Sequence, residues 1–222
     1  MRFLAATIFC LSVSPFATGE TLVFAEDFES VTPPAVPSGW TARAAAFSNA
    51  PLPSVDLQTL ASGGNPSQAL QLTVDASDLD ESSSWFASID FNFDGPFPTD
   101  DFSKLQLTLD VAASEADHQL VVSLQSRDSS EGTFTGKASD VFSTQTDFAS
   151  IGGLLSDFDS GPNTLDPDAS FYRLSLRIDN AFGSDSGNTL KIDNVRLSVV
   201  PEPASMTSLV LCSMLLNRRR RR

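Results

Sequence analysis

Apolar residues at every second position recur along most of this chain and limit what it can fold into. Leu105, Leu107, Leu109 and Val111 share one parity, and the range 85–93 carries tryptophan, alanine, isoleucine and two phenylalanines at alternate positions. A period of two places such side chains on one face of a β-strand, whereas a helix requires a period near 3.6. The pattern predicts short strands that each bury one face.

Polar turns separate the predicted strands, and the body of the chain shows no amphipathic helix or fixed-period repeat. A chain of this kind is expected to be all-β, an antiparallel β-sandwich or jelly roll. Residues 48–66 and the long segment after 145 are predicted as loops, and 183–187 as a hairpin turn between the last two strands. The predicted strands lie near 21–28, 69–74, 85–93, 105–111, 120–124, 132–136, 140–145, 171–178 and 190–199.

The last predicted strand changes the parity of its inward face. Leu190 and Ile192 occupy even positions, whereas Val195 and Leu197 occupy odd ones. A β-bulge beginning at Asp193 would restore the register. Because bulges re-aim side chains towards sites, Asp193 is a candidate site residue.

The N-terminus is predicted to be a secretory signal peptide over residues 1–19. A basic start is followed by an apolar region at 3–13 and a small-residue site at 17–19, the layout that signal peptidase removes. The body is then 20–199. Cys10 and Cys212 both lie in the terminal segments, so the body has no cysteine for a disulfide or a metal site.

The C-terminal segment, 200–222, has the layout of a membrane-targeting segment. Pro201, Glu202 and Pro203 precede an apolar stretch at 204–216. Thirteen helical residues span only ~20 Å, against a hydrocarbon layer of ~30 Å, which favours a temporary anchor. A basic cluster, predicted to stay on the cytoplasmic side, follows as Arg218, Arg219, Arg220, Arg221 and Arg222.

This order of features resembles the PEP-CTERM sorting signal of Gram-negative bacteria that make extracellular polysaccharide. The resemblance implies that an exosortase, a membrane cysteine transpeptidase, recognises Pro201, Glu202 and Pro203. It also implies export to the cell surface or extracellular matrix. A simple tail anchor is the alternative for the same residues.

Charge is divided sharply between the body and the tail. The full chain carries a formal charge of −14, but residues 20–200 contain 27 acidic and 8 basic residues, a formal charge of −19. Such a surface is expected to repel nucleic acid and other polyanions, but not calcium or neutral glycans. A solvated acidic surface that keeps an exported protein soluble explains the same composition.

The two ends of the body carry a second resemblance. The segments Asp27-Phe28-Glu29, Gly39-Trp40 and Ile192-Asp193-Asn194-Val195 resemble jelly-roll domains of the carbohydrate-binding-module, galactose-binding-like type. In that group the first and last strands often share a structural calcium ion. The resemblance implies Asp27, Glu29 and Asp193 as oxygen ligands, although ordinary surface carboxylates are the alternative.

Residues Asp90 to Asp101 also match the oxygen spacing of an EF-hand loop, with Asp101 in place of the final glutamate. A strand pattern stands where a helix should precede the loop, and Pro96 and Pro98 interrupt its second half. A strand that ends in an Asp-Gly turn is therefore the favoured interpretation.

The sequence favours a non-catalytic structural or adhesive body over an enzyme. His118 is the sole histidine, which excludes multi-histidine metal sites, and no nucleophile elbow is present. The alternative is a carbohydrate-binding module for extracellular polysaccharide in which Trp40, Trp85 or Tyr172 stacks on sugar. A secreted glycosidase with two facing carboxylates is a distant third.

Overall fold

The computed structural model of the chain describes residues 20–46, 51–79, 84–130, 132–179 and 186–201. The predicted signal peptide and the sorting segment beyond Pro201 lie outside these ranges. Thr21–Val200 forms one compact unit. Within the described ranges, no helix has the length and apolar character needed to cross a membrane.

Antiparallel strands build almost all of the regular structure in the described ranges. Three short 3-10 helices, at Phe102–Lys104, Leu155–Asp157 and Pro162–Thr164, accompany them. The strands are β1 (Thr21–Glu26), β2 (Trp40–Ala46), β3 (Ser54–Leu60), β4 (Ala69–Asp75), β5 (Trp85–Asp94), β6 (Leu105–Ala113), β7 (Gln119–Arg127), β8 (Phe134–Ser143), β9 (Ala149–Leu154), β10 (Phe171–Asp179) and β11 (Ser186–Val199).

The strands form two sheets that pack as a sandwich. One sheet has the order β3-β4-β11-β6-β9, with β1 also paired to β11, and the other has the order β2-β5-β10-β7-β8. All described pairings are antiparallel. The predicted all-β antiparallel sandwich is confirmed.

The period-two alternation of the sequence builds the core between the sheets. Leu105, Leu107 and Leu109 of β6 are buried, and they belong to the same cluster as Ile89 of β5 and Leu174 of β10. Burying a side chain of this size stabilises the fold by ~1.5–3 kcal/mol relative to leaving it exposed. The alternate residues of the five-stranded sheet point to its outer face, where polar and charged side chains such as Ser88, Asp90 and Arg173 are themselves largely buried.

The parity change in the last strand is a bulge, as predicted. The pairing of β11 with β6 shifts register between Asp193 and Arg196. Before the shift β11 pairs with β4, and after it β11 pairs with β1. Leu190 and Val195 on either side of the shift both have no exposed surface. Asp193 therefore lies where two neighbouring strands end beside a third.

The predicted hairpin between the last two strands is wrong. β10 pairs with β5 and β7, whereas β11 lies in the other sheet and pairs with β1, β4 and β6. Residues 171–179 and 186–199 therefore belong to opposite layers of the sandwich. A turn-forming composition indicates a change of direction, but it does not determine which sheet the next strand joins.

Two segments predicted as loops contain strands. β3 lies within 48–66 and β9 within the long segment after 145. Proline and glycine flank β3, and Gly152 and Gly153 occupy β9, which hides their strand pattern. The strands predicted at 132–136 and 140–145 are one strand, β8. The EF-hand alternative also fails, because β5 runs from Trp85 to Asp94 and contains Asp90.

Candidate functional site

The outer face of the five-stranded sheet carries an open groove of about 500 Å³. Its lining combines cationic, polar and aromatic side chains with no aspartate or glutamate among the described residues. The lining residues are Arg43, Phe86, Val121, Ser123, Gln125, Arg127, Gly132, Thr133, Phe134, Lys137, Ser175 and Arg177.

The register of the sheet explains why these side chains meet. Arg43 of β2 lies opposite Ser88 of β5, which lies opposite Arg177 of β10. Arg177 in turn lies opposite Val121 of β7. Residues directly opposite in an antiparallel pair point to the same face. Because the neighbours of these residues along each strand face the core, Arg43 and Arg177 point outward together.

Two arginines lie against one aromatic ring at one end of the groove. The guanidinium carbon of Arg43 is 5.5 Å from the centroid of the Phe86 ring, and that of Arg177 is 5.4 Å from it. Both distances fall within the ~6 Å range of cation–π attraction. The ring therefore holds two positive charges close to each other at the surface.

A buried carboxylate fixes the floor beneath the groove. Asp90 is 2% exposed, and Ser175 Oγ donates a hydrogen bond to its Oδ1 at 2.6 Å. Its Oδ2 lies 3.5 Å from Arg173 and 3.8 Å from Arg43. Arg173 also donates from Nε to Asn92 Oδ1 at 2.8 Å. One carboxylate thus contacts two arginines, and these contacts fix the side chains beneath the groove.

The exposed aromatic residue of the groove is Phe134, which is 55% exposed. It begins β8 and lies opposite Arg127. The aromatic residues predicted as sugar platforms are elsewhere: Trp40, Trp85 and Tyr172 are at most 3% exposed and belong to the core. Their assignment as stacking residues is wrong, because each points to the inward face of its strand.

A second cluster of polar groups lies at the bulge of β11. Asp193 has no exposed surface. Its Oδ2 accepts a hydrogen bond from the backbone N–H of Asn65 at 2.6 Å, and its Oδ1 accepts one from that of Asn194 at 2.7 Å. Asn194 Nδ2 also donates to Asp110 Oδ2 at 2.8 Å. The bulge thus brings β6, β11 and the loop before β4 together.

The predicted ligand Glu29 approaches this cluster, whereas Asp27 faces a different recess. Glu29 accepts from Ser67 Oγ at 2.5 Å and from Gln68 N at 2.9 Å. Those hydrogen bonds hold the pKa of Glu29 below its usual value, the backbone N–H of Gln68 contributing most. The Asp27 carboxylate accepts from Glu29 N at 3.1 Å and lines a recess of about 320 Å³ beside Asn194.

Burial and like charge act together on Asp193. Removal from water, together with the negative charges of Glu29 and Asp110 and against two lowering hydrogen bonds, raises its pKa to about 6. In the part of the chain that the structure describes, no three acidic, histidine or cysteine side chains are grouped closely enough to hold a metal ion. The donors are of the type that calcium prefers, but several of their oxygens already accept hydrogen bonds.

Several residues of both sites escape reasoning from sequence. Asp110 and Asn65 join the bulge cluster only because β6 and the 61–68 loop lie next to β11. Arg43 and Arg177 meet only because β5 lies between their strands. The usable signal was parity, since Arg173, Ser175 and Arg177 alternate with buried leucines and therefore face outward.

Comparison with known proteins identifies the fold. No protein-family model and no curated protein sequence matches the chain. The carbohydrate-binding module CtCBM11 is similar, with 15% identity and a TM-score of 0.50 over 85% of this chain and 100% of that one. A structure described as explaining the promiscuous specificity of carbohydrate-binding modules of the β-sandwich superfamily has 14% identity and a TM-score of 0.52, over 82% and 63%.

An exo-β-agarase is also similar, with 18% identity and a TM-score of 0.50 over 84% of this chain but only 26% of that one. At these identities the similarities show a shared jelly-roll fold alone.

Proposed function

We propose that the body is a non-catalytic carbohydrate-binding module that holds extracellular polysaccharide in the groove of the five-stranded sheet. The groove itself carries this proposal, because it is open, about 500 Å³ in volume, and combines aromatic with polar side chains. Sugar rings present apolar C–H faces and hydroxyl edges, and such a lining suits both. Carbohydrate-binding modules also occur among the proteins of similar fold.

The composition of the groove favours binding over hydrolysis. Hydrolysis of a glycosidic bond commonly needs two carboxylates on opposite sides of it. The described lining contains neither aspartate nor glutamate, and Asp90 beneath it is buried between two arginines. His118 lies outside the lining, where its Nε2 is 2.8 Å from Glu115. A module that binds without cutting agrees with these positions.

Replacing Phe134 by alanine is expected to weaken polysaccharide binding about tenfold, because it removes the exposed aromatic surface of the groove. The measurement is affinity electrophoresis of the full chain against a panel of soluble polysaccharides. Since Phe134 is 55% exposed, its loss should leave the melting temperature nearly unchanged.

Leu22→Ala is the matched control for this experiment. Leu22 is 49% exposed and lies on β1 of the other sheet. Its replacement should change neither binding nor stability appreciably. Equal binding by Phe134→Ala and the wild type would place the glycan elsewhere, and a panel without any binding would leave the adhesive-scaffold function instead.

We further propose that a structural calcium ion binds at the β11 bulge beside Asp110, with Glu29 and Asp193 as carboxylate ligands and amide or backbone oxygens completing its coordination. Support comes from the negative charge that these residues concentrate around a fully buried carboxylate. Oxygen ligands from carboxylates and amides suit calcium, and a cation would offset the like-charge repulsion. The ion would tie the start of the fold to its last strand.

We also propose that the chain is exported and processed at both ends, by signal peptidase after residue 19 and by an exosortase at Pro201-Glu202-Pro203. The support is the order of features in the sequence. The intact mass of the protein from its native host should lack residues 1–19 and the arginine cluster. A mass that retains both ends would contradict this proposal.

A further inference from the structure

We infer that the glycan held by the groove is anionic, a polysaccharide that bears carboxylate or sulfate groups. This inference rests on the proposed function and adds the charge of the ligand. It starts from a contrast within the molecule. The body has 8 basic residues against 27 acidic ones, yet four of the eight line this one groove, without a described acidic residue among them.

The four cations form two pairs at different positions along the strands, and each pair is called a station here. The first station is Arg43 and Arg177, both within 5.5 Å of the Phe86 ring. The second is Lys137 together with Arg127, which is 7% exposed and donates to Gln125 Oε1, on the strands β8 and β7 next to Phe134. Arg177 lies opposite Val121, six residues before Arg127 along β7. Lys137 lies opposite Gln125, four residues after Val121, so at ~3.3 Å per residue the stations are about 13–20 Å apart.

Each station combines two positive charges with one aromatic ring. That combination matches a sugar that offers an apolar face and an anionic substituent. A separation of about 13–20 Å exceeds the length of a single sugar ring. The ligand that would use both stations is therefore a chain with charges repeated along its length.

The acidic residues of the same face do not cancel these charges. Asp90 is buried and contacts Arg43 and Arg173, so the pairing leaves Arg177 and Lys137 to other partners. Neither of the latter forms an ion pair with a residue that the structure describes. Of the other two outward carboxylates of β5 and β10, Asp94 is the last residue of its strand, whereas Asp179 lies opposite Phe86 beside the first station. The four cations of the lining outnumber this one neighbouring carboxylate. The groove is thus a local positive field on an acidic protein.

The negative net charge of the body led us to expect that it repels polyanions as a class. The positive groove provides a local exception to that expectation. Charge pairs within a few ångströms act at short range, whereas repulsion from the distant surface is screened beyond ~8–10 Å at physiological salt. A thin polysaccharide chain can enter the groove and keep its bulk away from the acidic surface. A nucleic-acid duplex, which is wide and densely charged, would meet that surface as well.

The test compares anionic polysaccharides with neutral forms of the same backbone. Polygalacturonate and alginate are each paired with their methyl esters, and carrageenan with its desulfated form. Binding of the full chain is measured by calorimetry at low and at high salt. We expect the anionic forms to bind at least about tenfold more tightly at low salt and to lose that advantage at high salt.

Single-charge variants locate the effect. Arg177→Gln and Lys137→Gln should each weaken binding of the anionic form about tenfold, and should weaken binding of the neutral form much less. Lys191→Gln removes the same charge from β11 in the other sheet and should change neither.

The possible outcomes distinguish a failure of the anionic-ligand inference from a failure of the proposed carbohydrate-binding function. Neutral forms bound as tightly as anionic ones would overturn the anionic ligand but keep the carbohydrate site. No binding to any polysaccharide would overturn both. Single-stranded oligodeoxythymidine bound as tightly as the anionic glycans would overturn the inference by showing that charge alone is recognised.

Discussion

Replacing Tyr172 by alanine is expected to lower the free energy of unfolding by about 3–5 kcal/mol, the usual loss for a large buried aromatic residue. Tyr172 has no exposed surface and packs against Phe97 at 4.3 Å and Phe93 at 5.8 Å between ring centroids. Its hydroxyl donates to the backbone oxygen of Asp166 at 2.7 Å. The variant would therefore leave a cavity and remove one of the two hydrogen bonds that the Asp166 carbonyl accepts. Chemical denaturation followed by fluorescence measures the loss.

Tyr172→Phe separates the two contributions. It keeps the ring and removes only the hydrogen bond, so it should cost ~1 kcal/mol. Burial and the charges of Asp166 and Asp168 raise the pKa of Tyr172 to about 12, so the hydroxyl remains a donor throughout the usual pH range. If Tyr172→Ala lost glycan binding but kept its stability, the residue would be an exposed sugar platform and this structural role would be wrong.

Calcium is expected to stabilise the protein through the cluster at the β11 bulge, and Asp193→Asn should abolish the effect. At a concentration one hundred times the dissociation constant, a bound ion adds ~2.7 kcal/mol to the free energy of unfolding. For a domain of this size that corresponds to roughly 5–10 °C in melting temperature. Thermal unfolding in calcium and in EDTA measures the difference.

The pH dependence of stability in EDTA is expected to show the cost of the negative charge on Asp193 when no calcium is bound. The folded-state pKa of Asp193, about 6, lies above its ordinary value of 3.8. The contribution of protonated Asp193 to the free energy of unfolding is therefore complete below pH 4 and is lost as the pH rises through 6. At ~1.4 kcal/mol per pKa unit, the charged form costs ~3 kcal/mol at neutral pH. Calcium should therefore stabilise the protein most at neutral pH, where Asp193 is charged.

Asp75→Asn is the matched control for the calcium experiment. Asp75 accepts from the N–H and the hydroxyl of Ser77 in an exposed turn, so its loss should leave any calcium response unchanged. An equal rise in melting temperature for wild type and Asp193→Asn would show that calcium binds elsewhere. An unchanged melting curve in EDTA would remove the structural ion altogether.

The sequence predicted those parts of the fold that depend on local alternation. β5, β6 and β10 each direct the apolar side chains of one parity into the core, and that inward set follows directly from the spacing of the apolar residues. The bulge at Asp193 was predictable for the same reason, because only a register shift buries both Ile192 and Val195. These features need no knowledge of neighbouring strands.

What sequence reasoning missed depends on which strands lie side by side. The groove requires Arg43 of β2 and Arg177 of β10 to flank β5, and these residues are far apart in the chain. The resemblance to jelly-roll domains implied that Glu29 and Asp193 share a site, but Asp110 gave no such signal. The exposure of Phe134 follows from its position at the start of β8 rather than from its residue type.

The pairing of β1 with β11 has a mechanical consequence. Thr21 lies opposite Val199, so the first and last strands of the body meet at one point of the six-stranded sheet. A tether at either end pulls on that sheet, whereas the groove lies on the outer face of the other. Load applied at either end would therefore act on β1 or β11 before it reached the strands of the groove.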